Sequence, residues 1–500
     1  MKKISIVLSL VCALALTSCK GFLDVPPTHQ ADASTCISNA EDAQIMLNGL
    51  LSKLTGSSLF GNNLLLIGDA KGGDFTIYTG GFGGDGLYYY DHSITSNTYS
   101  GIWSSGYNAI LQANNIIENI NEMKNEGAND STLDDILGQA LTIRALLHFE
   151  MVRCYGKPYN MDGGASWGIA VVTAPVDAKA QLLRNTVKEV YTQIVTDLTA
   201  AAPLLSKSNN LGYVNYYANQ AILGKVYMYM DNFSAATTCF DNVIKSGKYS
   251  LYTPSEWTDS WKTQQGKESI LELAIYPNEG DLGGSAYGIY FRKRAHGSSS
   301  AYGNLYVSEY WHGIMGENDV RWGIMDYDHM HGQEVRSYWK DACYKYSGDL
   351  NLAGDGKSTS TAVNVKVVRL SEVYLLAAEA LVRGGGSKET AAQYLNEIAK
   401  RNPEYTPWTA GTVTVDEIYN EYRREMLGEG KLFYEAMRQN VTLQFEDDAW
   451  SFGTKPKNTR GASFNRNDPT YGFHMLLPIA EAEINANPEI QQNPGYGSAK

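Results

Sequence analysis

Glu372 and Glu379, seven positions apart in a helical stretch, offer the kind of carboxyl pair that acid–base chemistry requires. Cleaving a glycosidic bond takes two carboxyls roughly 5–10 Å apart on opposite sides of the bond. On one helix face an i, i+7 pair lies about 10.5 Å apart along the axis and points the same way, so it does not flank a substrate. Asp326, Asp328, His329 and His331 are metal-ligand types, but no HExxH spacing accompanies them, and they read as a solvated turn. Asp349-Leu-Asn351-Leu-Ala353-Gly354 begins like a calcium loop. It lacks an acid or Asn at the fifth place and has Ser360 where a bidentate Glu belongs, so an EF-hand is rejected, while an isolated calcium site stays open but unsupported. The glycines of 80–86 are followed by no Lys-Ser/Thr and open no helix, and no GxSxG elbow occurs. Neither an enzyme nor a bound cofactor is expected.

The other chemistry on offer is that of rings. The chain has 34 Tyr and 9 Trp against 13 Phe, with 48 Gly. A non-catalytic sugar binder needs flat rings for the C–H faces of pyranoses, and amide, carboxylate and guanidinium groups for hydroxyls taken out of water. One Gly-rich stretch carries Tyr78, Phe82, Tyr88, Tyr89 and Tyr90 near Asp69, Asp74 and Asp85. Another carries Tyr287, Tyr290, Arg292, Tyr302 and Asn304, and Trp167 stands in Asp162-Gly-Gly-Ala-Ser-Trp-Gly168. The candidate ligand-binding residues are Tyr78, Tyr88, Tyr89, Trp167, Tyr287, Tyr290, Arg292, Tyr302 and Asn304. The expectation concerns the set: two or three of these rings on one exposed face. Trp103, on a helical stripe, reads as core.

The elements that must position these segments are mostly helices. Apolar periodicity predicts helices over 41–54, 102–123, 133–155, 187–205, 215–230, 233–246, 367–383, 388–400 and 415–438, with a strand at 269–276. Gly224, Tyr227, Ala236, Phe240 and Val243 follow the small–Tyr–small–Phe–small spacing of a tetratricopeptide unit. Small residues are required where the two antiparallel helices touch, and the rings fill the seam. Ala377, Ala380, Ala391, Leu395 and Ile398 fit a second unit if the Gly384-Gly385-Gly386 turn adds two residues. Paired units imply an array, because stacked hairpins bury their faces against neighbours. The fold class is therefore mainly α, a tetratricopeptide-like scaffold with a loop-rich second lobe and minor β.

Charge and the N-terminus set the compartment. With 41 Lys+Arg against 54 Asp+Glu the chain carries net −13 and no basic block, which disfavours nucleic acid as a partner. Lys2 and Lys3 precede an apolar run from Ile4 to Leu16, the n- and h-regions of an export signal, too short to span a bilayer. Leu16-Thr17-Ser18-Cys19 resembles a bacterial lipobox, so lipidation is expected at Cys19, leaving 39 basic against 54 acidic residues, net −15. Of the remaining cysteines, Cys36, Cys154, Cys239 and Cys343 lack a CxxC spacing and read as buried thiols rather than disulfides, although export permits pairing.

Larger signatures then become readable. Arg369-Leu-Ser-Glu-Val-Tyr-Leu-Leu-Ala-Ala-Glu-Ala380, Arg423-Arg424-Glu425-Met-Leu-Gly-Glu429-Gly430 and Leu477-Pro-Ile479 … Asn487-Pro … Gln492-Asn493-Pro-Gly-Tyr496 resemble the C-terminal signature of the SusD/RagB family. Phe22-Leu-Asp24-Val-Pro26, Trp103 … Tyr107-Asn108 and Arg144-Ala145-Leu-Leu-His148 … Tyr155-Gly156-Lys-Pro158 agree with it, so the resemblance covers the mature chain. It implies a signal peptide at 1–18, an N-terminal region at 19–250 and a C-terminal region at 251–500. It also implies a surface-exposed outer-membrane lipoprotein that binds oligosaccharide without cleaving it and delivers it to a SusC-like TonB-dependent transporter. Ser308-Glu309-Tyr310 … Asn318-Asp319-Val-Arg321 looks like a structural element of that family. Two rival readings are a peptide-binding tetratricopeptide lipoprotein and a glycoside hydrolase.

Overall fold

The computed structural model describes residues 37–77, 85–95, 99–177, 179–209, 212–276, 282, 285–291, 303, 305–326, 342–346, 362–445 and 463–497. Its helices are α1 (Ala40–Leu54), α2 (Asn63–Ala70), α3 (Ser100–Asn125), α4 (Ser131–Tyr155), α5 (Val187–Ala201), α6 (Tyr216–Tyr229), α7 (Phe233–Ile244), α8 (Leu370–Arg383), α9 (Lys388–Ala399), α10 (Val415–Met426), α11 (Leu432–Gln439) and α12 (Glu481–Ala486), with isolated single turns between them. Packing follows the chain: α1 on α3, α3 on α4, α4 on α5, α5 on α6, α6 on α7, then α7 on α8 and α8 on α9 and α10. This stack of antiparallel hairpins is the array that the small-residue spacing predicts.

The seam of the α6–α7 hairpin shows why. A Cβ on Gly224 would lie 2.5 Å from the Phe240 ring, and Ala236, Phe240 and Val243 are buried. Ala377, Ala380, Ala391, Leu395 and Ile398 are buried in the same way between α8 and α9. Caps fix the starts: Asn215 accepts from Ala218 N–H at 2.9 Å and Ser387 from Thr390 N–H at 3.1 Å.

Strands are short and pair antiparallel in twos: β1 (Phe75–Ile77) with β3 (Leu305–Val307), β2 (Ser269–Leu273) with β6 (Val365–Arg369), β4 (Met325–Asp326) with β5 (Ala342–Cys343), and β7 (Leu443–Gln444) with β8 (Ser463–Phe464). The β6 strand corrects the expectation that residues 367–369 begin a helix, because they pair with β2 before α8 starts. The stretch 415–438 is likewise two helices. Gly428 (φ +72°) and Gly430 (φ +71°) occupy left-handed backbone, and a Cβ on Gly430 would sit 2.3 Å from Leu65 Cα. Cys154 and Cys239 are buried free thiols and Cys343 is buried, whereas Cys36 lies outside the described residues. No helix among the described residues is long and apolar enough to cross a membrane.

Candidate functional site

The two ring-bearing segments picked out by sequence meet on one small lobe. Ile77 pairs with Leu305, so the stretch beginning at Tyr78 and the stretch ending at Asn304 depart from the same end of one ladder. Ser308 closes the other end, its N–H donating to Asp74 O at 2.9 Å and its hydroxyl to Gly73 O at 2.9 Å. The turn Tyr287–Tyr290 is tied in by Tyr287 N–H to Gly61 O at 3.1 Å and by Gly303 N–H to Ile289 O at 2.8 Å. Phe291 rests against Phe75 with centroids 5.0 Å apart.

Several of the candidate rings prove to be the lobe's own core. Tyr88, Tyr287 and Tyr290 are only 1%, 3% and 8% exposed, which corrects their assignment as ligand-facing rings. The Tyr287 hydroxyl donates to buried Asp69, which also accepts Gly430 N–H at 2.8 Å. Tyr88 packs edge-on against Tyr89 and Phe445, with its hydroxyl 3.4 Å from that of Thr76. Tyr90 donates to Lys71 O at 2.7 Å and stacks on Phe464 at 4.2 Å. A tyrosine whose hydroxyl finds an internal acceptor is satisfied in the core, and flanking glycines do not prevent that. Tyr89 is half-buried, and Trp167 is 43% exposed. Tyr78, Arg292, Tyr302 and Asn304 lie outside the described residues, as do Asp328, His329, His331 and the 349–354 segment. Among the described residues no group of three His, Cys, Asp or Glu is placed to hold a metal ion.

Beneath the lobe the charged signature residues form buried ion pairs. Arg369 contacts Glu268 at 3.1 Å, Glu425 at 3.0 Å and Glu429 at 2.7 Å. Arg321 joins Asp319 at 2.6 Å and Glu421 at 2.7 Å, Arg401 joins Glu425 at 2.5 Å, and Lys345 joins Glu429 at 2.7 Å. Burial alone pushes the Glu425 carboxyl up, but Arg401, Arg369 and Arg321 override it and hold it at about 2. Glu372 behaves alike. Against the push of burial, Lys225 at 2.7 Å and Lys431 hold it at about 2, while Glu379 is bound by Arg383 at 2.6 Å and Arg438. Carboxylates pinned this way cannot serve as a general acid near neutral pH. Two other buried groups shift the opposite way: burial pushes Asp69 up to about 7 and Lys71 down to about 7, the latter donating to His474 O at 2.8 Å.

Sequence reasoning missed a cavity of about 520 Å³ between the start of α3, the 170–182 strap and α12. Trp103, Tyr107 and Leu111 line it from one stripe of α3, and Lys179, Gln181, Glu483 and Asn487 line it opposite. Trp103 is buried as expected, at 8% exposure, yet it also forms this wall. The i, i+4, i+8 spacing of Trp103, Tyr107 and Leu111 was visible, but nothing local shows what faces it. Arg184 pins the strap, donating to Gly168 O at 2.7 Å, Gln491 O at 2.9 Å and Asn493 Oδ1 at 2.9 Å.

A stack of helical hairpins carrying a small, short-stranded lobe, with a ligand-sized hollow against its first hairpin, defines a tetratricopeptide-like binding scaffold. The family model described as "SusD family" matches residues 246–496, and one described as "Starch-binding associating with outer membrane" matches residues 85–228. A solved SusD superfamily protein from Bacteroides thetaiotaomicron is 32% identical, covers 91% of this chain and 100% of its own, and superposes with a TM-score of 0.84. A solved putative sugar binding protein from Bacteroides vulgatus is 29% identical over 93% of this chain and 100% of its own, with a TM-score of 0.81. SusD-like protein P38 of Formosa agariphila is 23% identical over 436 residues, 79% of each chain. The chain belongs to the SusD family.

Proposed function

We propose that this chain is an outer-membrane lipoprotein, anchored through Cys19, that binds oligosaccharide at the cell surface and passes it uncleaved to a SusC-like TonB-dependent transporter. The observation that carries the reading is the match, along nine-tenths of the chain, to a solved SusD superfamily protein and to a solved protein described as a putative sugar binding protein. The convergence of the two ring-bearing segments on the Ile77–Leu305 ladder end supports a ligand face there. Tyr78, Tyr89, Arg292, Tyr302 and Asn304 are the residues assigned to it, and Tyr88, Tyr287 and Tyr290 are buried anchors of the lobe. Trp167 adds an exposed ring elsewhere on the chain. The ion-paired states of Glu372 and Glu379 favour binding without hydrolysis.

A glycan array and a peptide library, run side by side on the protein, test this reading. Retention of an oligosaccharide with Kd between µM and mM, about −4 to −8 kcal/mol, is the expected result. Selective retention of peptides, or sugar cleavage by the pure protein, contradicts it.

A further inference from the structure

We infer that the cavity between α3, the strap and α12 is a carbohydrate subsite separate from the loop face, taking one or two units of a neutral hexopyranose chain. The inference rests on the glycan reading and deepens it. At about 520 Å³ the hollow falls in the range of small-molecule sites. Its wall combines what a pyranose needs. The Trp103 and Tyr107 rings meet edge to face at 5.0 Å, and the Tyr107 hydroxyl is tied to Ala170 O at 3.0 Å, so the rings are held in place before any ligand arrives. Facing them are an amide, an ammonium and a carboxyl, from Gln181, Lys179 and Glu483. One cation and one anion cancel, which removes any preference for a charged ligand.

The decisive group is Asn487. It is 4% exposed, its Nδ2 donates to Leu182 O at 2.8 Å, and its Oδ1 is buried with no donor. That oxygen is one of several buried polar atoms without a partner among the described residues, and it belongs to a residue that lines the hollow. Reaching it requires the Asn487 amide to turn toward the hollow, where a sugar hydroxyl supplies the missing donor. Glu483, whose carboxyl is pushed up by burial, adds a further polar group to the same wall. Val176 adds exposed apolar surface on the same strap, suited to the C–H face of a following sugar unit.

The test fills the hollow from its exposed rim. Ala180→Trp and Ala486→Trp both replace exposed lining residues and leave the core untouched. Maltotriose, laminaritriose, cellotriose and mannotriose are titrated by calorimetry into the full chain and into each variant. The expected result is that at least one trisaccharide binds, and that both variants weaken it tenfold or more with an unchanged unfolding midpoint. Binding of the trisaccharides that survives both substitutions overturns the subsite while leaving the glycan reading intact, since the sugar then sits elsewhere. Failure of all four to bind a protein that retains longer glycans also overturns it. Should either variant misfold, 5-fluorotryptophan labelling supplies the readout, with the Trp103 signal assigned from Trp103→Phe. Its shift on titration supports the subsite, and an unmoved signal at saturation overturns it.

Discussion

Glu425 and Asn487 are both buried polar residues, and their surroundings differ in kind. Glu425 meets Arg321, Arg369 and Arg401, whereas Asn487 Oδ1 meets no donor among the described residues. The first environment neutralises every oxygen it buries and holds its carboxyl at about 2. The second leaves an acceptor unanswered beside two rings and a hollow of about 520 Å³. The difference teaches where to look for function in this chain. Its most charged and most recognisable motifs are internal fastenings, and the proposed subsite lies where an unpartnered atom belongs to a residue lining a hollow.

The largest effect should come from breaking the fastening. Arg369→Ala leaves Glu268, Glu425 and Glu429 short of their shared cation, and a loss of about 3–5 kcal/mol, or failure to fold, is expected in chemical denaturation. A loss below about 1 kcal/mol would show that the network does not organise the fold.

Asp69 sharpens the contrast, being buried with no cation at bonding distance among the described residues. Its carboxyl is raised from 3.8 to about 7 by burial, so its contribution is greatest below pH 3.8 and is lost as pH climbs through 7. Relative to wild type, Asp69→Asn should therefore gain roughly 2–4 kcal/mol between pH 4 and pH 8 in denaturation series. A constant gap across that range contradicts the shift.

Gly224→Ala probes the scaffold on which both regions stand. Its Cβ would press on the Phe240 ring at 2.5 Å, and about 1–3 kcal/mol of stability should be lost with glycan affinity unchanged. The smallest effect is expected from Tyr89→Ala and Trp167→Ala. Each should weaken oligosaccharide binding by about 1 kcal/mol, with the unfolding midpoint unchanged for Trp167→Ala, if its ring stacks on sugar. Unaltered affinity in both removes these rings from the ligand face.

The scaffold was legible because its causes are local. Helical stripes, caps and the Gly224–Phe240 spacing act within one hairpin, so the expected helices reappear with ends shifted by a few residues. The break between α10 and α11 was harder to see, because Gly430 is required by its approach to Leu65, far away in sequence. The site was less legible for the same reason. Tyr287 is buried because its hydroxyl reaches Asp69, 218 positions earlier, and no property of the 287–304 segment reveals that partner. The cavity is assembled from residues 103–111, 170–182 and 483–487, which only the fold brings together.

The most direct measurement is a crystal structure of the chain soaked with the oligosaccharide that a glycan array retains. Sugar density is expected over the end of the Ile77–Leu305 ladder, with a unit beside Trp103 and Asn487. Density confined to the outer faces of the helical hairpins, with both places empty, would contradict the reading of this fold as a platform that holds sugar where its own polar groups are left unpaired.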